Sequence, residues 1–228
     1  MKDLVLYFAI KYEGNFNKIY EALLNKEEFD SDKLHEMKEQ LDCNYITIFD
    51  DDYPDALKQI NCPPFVLFYK GNIDLLNKKK LCLITPESNQ ATADLLNQFV
   101  DDMINDDEFV LIKPYKSTID DYKVKTIKIM DRGISYYGDV DDINTLVISE
   151  HPFYSAPLKR YLPFSYRLVS GLADKIVLAQ CYNPNDDIMA LAYAIEQNKD
   201  VYMIGYEYEL YDILNPQKIK HIENYNEL

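Results

Sequence analysis

The chain has 228 residues, 47% of them hydrophobic, enough for one α/β domain with a small appendage or for two small domains. Its 24 basic and 39 acidic side chains give a formal charge of −15, which excludes a uniformly basic surface for nucleic acid but leaves room for a local cationic patch. No stretch approaches the ~18 consecutive apolar residues of a membrane helix, and the apolar run from Leu4 to Ile10 is too short for a secretion signal. A cytoplasmic protein without membrane contact is therefore expected. Arginine is confined to Arg132, Arg160 and Arg167, so planar, two-pronged recognition of phosphate or carboxylate is rationed. There are 20 tyrosines, 10 phenylalanines and no tryptophan, and the 6 glycines are few for a nucleotide-binding α/β protein. Cys43, Cys62, Cys82 and Cys181 are scattered, as are His35, His151 and His221. This spacing supports neither a zinc site nor a disulfide framework.

Residues 3–25 repeat apolar side chains at helical spacing, interrupted at Gly14-Asn15, which predicts two short helices. Ser31-Asp32 predicts the cap of a third, Lys33 to Leu41. Residues 1–42 thus read as a small helical domain. A weak alternation at 43–50 meets Asp50-Asp51-Asp52, read as a solvated turn, and Tyr53-Pro54 opens a short helix to Ile60. Strands are predicted at 65–69, 80–84, 109–112, 126–130, 146–149, 175–179 and 201–204. Helices are expected at 91–103, 162–172 and 187–197, and residues 216–228 are left as a C-terminal tail. Short apolar strands alternating with helices imply an α/β fold, extended Rossmann-like, with a mainly parallel sheet covered on both faces over residues 43–215. Ligands of such sheets sit beyond the strand carboxyl ends. That singles out 85–89, 113–118, 131–133, 149–150, 180–181 and 205.

Four segments carry a resemblance. The first runs Tyr53-Pro54, Leu57, Pro63-Pro64, then Phe65-Val66-Leu67-Phe68-Tyr69-Lys70-Gly71-Asn72. It is followed by Ser149-Glu150-His151-Pro152, by Pro163 with Arg167-Leu168-Val169-Ser170-Gly171-Leu172, and by Ala194-Ile195-Glu196-Gln197-Asn198-Lys199-Asp200-Val201. In this order they resemble the DNA-processing protein DprA/Smf family. The resemblance implies an extended Rossmann domain behind a helical domain of the sterile-alpha-motif type. It also implies a non-enzymatic protein that binds single-stranded DNA, forms a homodimer and loads a RecA-like recombinase in natural transformation, with no cofactor, no metal and no catalytic residue.

The chain departs from the family where the family grips phosphate. Thr85-Pro86-Glu87 stands in place of Gly-Ser-Arg, putting an acid at the arginine position and removing a backbone donor at the proline. Lys113 to Asp120 keeps only the Ile-Asp end of a glycine-rich loop. Ser165 and Tyr166 replace two residues of an Arg-Asn-Arg triplet, of which Arg167 remains, and Gln180 replaces a glutamate. The candidate DNA contacts are therefore Lys113 and Lys116 as point charges, Arg167, and Ser88 and Asn89 at the start of the helix that follows. The run Lys78-Lys79-Lys80 could replace lost arginine charge in the same way, and Tyr115 could stack on a base. Two other readings stay open at this point: a Rossmann-type sensor of a nucleotide-derived ligand, and a scaffold or interaction protein that has lost DNA binding. A basic groove, a neutral pocket or an acidic crevice at the strand ends separates the three.

Overall fold

The computed structural model describes residues 1–84, 90–115, 124–140, 143–156, 162–179, 188–205 and 219–228. Three helices come first: α1 (Lys2–Lys11), α2 (Phe16–Leu24) and α3 (Ser31–Glu39). The Asn15 side chain caps α2 by accepting from Lys18 N, and Asp30 caps α3 by accepting from Lys33 N. The α3 cap thus falls one residue before the expected Ser31-Asp32. Then follow β1 (Asn44–Thr47), α4 (Asp55–Lys58), β2 (Val66–Gly71), β3 (Lys79–Ile84), α5 (Gln90–Asp106), β4 (Phe109–Pro114), β5 (Thr126–Ile129) and β6 (Thr145–Ser149). The remaining elements are α6 (Leu162–Leu172), β7 (Lys175–Ala179), α7 (Ile188–Glu196), β8 (Val201–Ile204) and β9 (Ile219–Ile222).

The strands form one sheet in the order β1-β2-β6-β5-β4-β3-β7-β8-β9. Pairing is parallel from β6 to β9, while β2 runs antiparallel to both β1 and β6. The expected strand at 65–69 therefore joins the sheet in the opposite sense to the others. Ile176, Val177, Leu178 and Ala179 of β7 are all fully buried, as a parallel strand covered on both faces requires. Residues 219–222, expected in a C-terminal tail, instead form the ninth strand, parallel to β8. Ile219-Lys220-His221-Ile222 is short and half polar, so no periodicity announces it. The chain beyond it is anchored by Tyr225, whose ring meets Phe99 and Phe109 edge-on and whose hydroxyl donates to Asp106 at 2.7 Å.

One face of the sheet packs Ile112, Ile127, Ile129, Leu146, Ile148 and Leu178 against Leu57 of α4, Leu168, Val169 and Leu172 of α6, and Leu191 of α7. The other face carries two clusters. Under α5, Leu81, Leu83, Leu111 and Val177 meet Leu96, Phe99 and Met103. Under the N-terminal helices, Val66, Phe68, Met130 and Val147 meet Val5, Phe8, Ile19 and Leu34. The helical unit and the sheet thus share one apolar core. Among the described residues, no helix is long and apolar enough to cross a membrane.

The α1–α2 turn is docked on the end of β6. Gly14 has φ +75°, and a Cβ there would lie 2.1 Å from the Glu150 carbonyl oxygen. Replacing it forces both a left-handed backbone and a clash with main chain. Gly14→Ala is expected to destabilise the fold by about 2 kcal/mol or more, seen as a lowered urea midpoint at unchanged slope.

Candidate nucleic-acid interface

The carboxyl ends of β5 and β6 are stitched together. Ser149 Oγ donates to Arg132 O at 2.6 Å and accepts from His151 N at 2.9 Å. Gly133 N donates to Ser155 O, Ile134 N to His151 O and Ser135 N to Phe153 O, at 2.9 to 3.1 Å. Gly133 permits this closeness, because a Cβ there would stand 2.0 Å from Phe153 O. His151 Nδ1 lies 2.8 Å from Glu13 O, tying the same strand end to the helical unit. Ser149-Glu150-His151 thus forms a structural junction.

Behind this junction lies a buried ion pair. Arg167 of α6 is 3% exposed and Glu150 is 7% exposed. Nη1 donates to Oε1 at 2.7 Å and Nη2 to Oε2 at 2.6 Å, a two-pronged geometry. The guanidinium also donates to Cys62 O at 2.6 Å and, through Nε, lies 3.2 Å from Asn61 O. Burial works against the charged guanidinium, but the adjacent Glu150 outweighs it and raises the Arg167 pKa. Tyr53 OH donates to Pro64 O at 2.7 Å, and burial, reinforced by nearby Glu150, pushes its phenol well above the usual tyrosine range.

On the solvent side stands an aromatic platform. The Arg132 guanidinium carbon lies 5.7 Å from the Tyr115 ring centre and 5.9 Å from that of Tyr136. Asp131 holds it from the edge, Nε to Oδ1 at 2.7 Å and Nη2 to Oδ2 at 3.2 Å, and the hydrogen bond to this carboxylate raises the Arg132 pKa. Tyr136 and Tyr154 are 45% and 68% exposed. Their rings meet at 86° with centres 5.3 Å apart. The loop carrying Tyr136 is clamped from below by Asp42, which accepts from Ser135 Oγ at 2.6 Å and Lys70 Nζ at 2.9 Å, while Lys70 also donates to Tyr137 O. Burial works against the Asp42 carboxylate, but the bonds from Ser135 and Lys70 prevail and hold it below the usual range.

Of the sequence-derived candidates, the two among the described residues do not converge. Lys113, 2% exposed, follows Leu111 on the face of β4 that carries the α5 cluster, and it registers with Lys128 of β5 and, beyond it, Val147 of β6. Arg167 stands on the opposite face among α4 and α6. The two therefore do not line one crevice. Lys116, Ser88 and Asn89 lie outside the described residues, as do Glu87 and Gln180. Lys79 pairs with Glu108, and Lys80 donates to the Leu76 and Lys78 carbonyls, at the far, amino end of the sheet. A cleft of about 150 Å³ lined by Met103, Phe109, Val124, Lys125 and Asn144 also lies at that far end. Tyr136 and Tyr154 were missed from sequence. The available signal was Arg132-Gly133-Ile134-Ser135-Tyr136-Tyr137-Gly138, which spends a rare arginine directly after a predicted strand.

Fold and site together define a Rossmann-like α/β protein with an aromatic strand-end surface. Comparison with known proteins is more specific. The family model for DNA recombination-mediator protein A matches residues 44–112. The chain is 26% identical over 200 residues to DNA processing protein DprA of Streptococcus pneumoniae, covering 80% of this chain and 70% of that protein. It is 25% identical to DprA of Bacillus subtilis, covering 71% and 60%, and 21% identical to protein Smf of Synechocystis, covering 84% and 54%. The chain thus spans between about half and 70% of these relatives' length. The crystal structure of S. pneumoniae DprA superposes with a TM-score of 0.72 at 21% identity, over 99% of this chain and 91% of that one. The structure of DNA processing protein A from Helicobacter pylori, described for its single-stranded DNA binding mode, superposes with a TM-score of 0.67 at 16% identity, over 82% and 94%. The chain is thus similar to DprA/Smf proteins over 71–84% of its length.

Two outcomes are expected of this scaffold. Removing one partner of the buried pair leaves the other charge uncompensated, so Arg167→Ala is expected to destabilise the fold by about 3–5 kcal/mol in urea unfolding. The double variant Arg167→Met with Glu150→Leu is expected to lose much less than the sum of the singles. Because the folded-state pKa of Asp42 is depressed, the stability it contributes is present above about pH 4 and lost as pH falls through the folded value. Asp42→Asn is expected to flatten that part of the acid limb of a stability-against-pH curve.

Proposed function

We propose that this chain is a DprA-like DNA-processing protein that binds single-stranded DNA at the carboxyl ends of β4, β5 and β6. The observation that carries the reading is the platform itself: two exposed tyrosines backed by an arginine held between rings, at the end of a parallel sheet where such folds place their ligands. Similarity to DprA/Smf proteins and the single-strand binding described for the H. pylori protein support it. In this reading the protein holds DNA and hands it on without catalysing a reaction. A homodimer and a RecA-like recombinase as partner are part of the same proposal, carried by the family resemblance. Lys116, Ser88 and Asn89, which lie outside the described residues, keep their sequence-based assignment to the DNA backbone in this proposal. Lys113 and Arg167 serve the site from inside the fold, as positioning residues.

The test is a fluorescence-anisotropy titration of the full chain at low salt with a labelled single strand of about 20 nucleotides and with a hairpin duplex of the same length. The single strand is expected to bind at least about tenfold more tightly, and Tyr154→Ala to weaken it about fivefold or more, the low end of what one stacked base contributes. Absence of single-strand binding, or equal binding of the duplex, overturns the proposal.

A further inference from the structure

Resting on that reading, we propose that the Tyr136–Tyr154 corner takes the flat faces of unstacked nucleobases and not phosphate groups, so that this chain replaces the family's arginine grip on phosphate with a stacking grip. Three features lead there. The charge of Arg132 is already matched. Asp131, itself buried, occupies one edge of the guanidinium with both carboxylate oxygens, and the Arg132 side chain is only 15% exposed. A phosphate approaching that edge meets a carboxylate, and the pair offers no net charge to neutralise it. What the guanidinium offers is its plane, lying among the rings of Tyr115 and Tyr136 and polarising them.

The second feature is the shape of the exposed part. Tyr136 and Tyr154 stand at 86°, so a planar group laid on one ring face meets the other ring across its edge. A nucleobase has the required flatness and a π face whatever its identity. A phosphate group has neither.

The third is preorganisation. Tyr136 and Tyr154 belong to different loops, but the three backbone bonds from Gly133, Ile134 and Ser135 to the 151–155 segment fix their spacing. The Asp42 clamp on Ser135 holds the Tyr136 loop from the other side. Little ordering is left for the ligand to impose. The chain's charge of −15 points the same way, since it does not favour a site built on neutralising phosphates.

The experiment compares strands of equal length and equal charge on the full chain: oligo(dT), oligo(dA) and a strand of abasic sites. Oligo(dT) and oligo(dA) are expected to bind at least about tenfold more tightly than the abasic strand, with a shallow dependence on salt. Ring-keeping and ring-removing variants locate the effect. Tyr136→Phe with Tyr154→Phe is expected to bind as the natural chain does, and Tyr136→Leu with Tyr154→Leu to fall to the abasic level. Both pairs alter exposed side chains and are checked for unchanged thermal unfolding. An abasic strand that binds as well as oligo(dT) overturns the stacking grip while leaving single-strand binding intact. Unimpaired binding by the leucine pair removes the grip from this corner. If no strand binds at low salt, the functional reading falls and the stacking grip falls with it.

Discussion

The Glu150–Arg167 pair organises the carboxyl end of the sheet. One carboxylate at the end of β6 meets one guanidinium on α6, and the same guanidinium closes the carbonyls of Asn61 and Cys62, 105 residues away in the case of Cys62. Charges this deep persist only when paired and fully hydrogen-bonded. Meeting that demand fixes three segments at once: α6, the strand end, and the chain entering β2. The motif pieces that looked separate in the sequence, Tyr53-Pro54, Pro63-Pro64, Ser149-Glu150 and Arg167, turn out to be parts of one buried knot, with Tyr53 holding the Pro64 carbonyl beside it.

Across the described residues, many of the chain's cations are spent on intramolecular partners. Lys70 pairs with Asp42, Arg132 with Asp131, Lys125 with Asp107 and Lys79 with Glu108. Lys199 caps the end of α6 through the Gly171 and Ala173 carbonyls. A chain with many more acids than bases can present polar chemistry to a polyanion only where carboxylates are masked or where the contact is not electrostatic. The tyrosine corner meets the second condition.

Much of the architecture was legible in the sequence because the central strands are continuous apolar runs bounded by turn residues, and the ordered motif pieces pointed to the DprA/Smf proteins that the chain resembles. Two elements were not. β9 is an edge strand whose two polar residues break any apolar run, and its place depends on β8 being there to pair with. The antiparallel sense of β2 follows from its partners β1 and β6, which no local pattern specifies. For the site, the strand-end rule singled out 131–133, and the structure places Arg132 there beside the rings of Tyr115 and Tyr136. Which side chains converge there depends on Gly133 bringing the 151–155 segment close, a long-range contact invisible to spacing. Lys113 illustrates the opposite failure: a lysine at a strand end reads as exposed, yet the face it occupies lies between two helical layers.

Helices α1, α2 and α3 are 10, 9 and 9 residues long, below the ~12–15 at which an isolated helix becomes even marginal in water. Their apolar side chains close over Val66, Phe68 and Val147, and their turn rests on the Glu150 carbonyl. Their helicity is therefore borrowed from the sheet. A peptide ending at residue 42 would carry the sequence of three helices without the surface that makes them helical. A sheet stripped of them would expose a greasy strip between β2 and β5. Helices and sheet close one cluster together, so an insertion or crossover at their join cuts through a shared core.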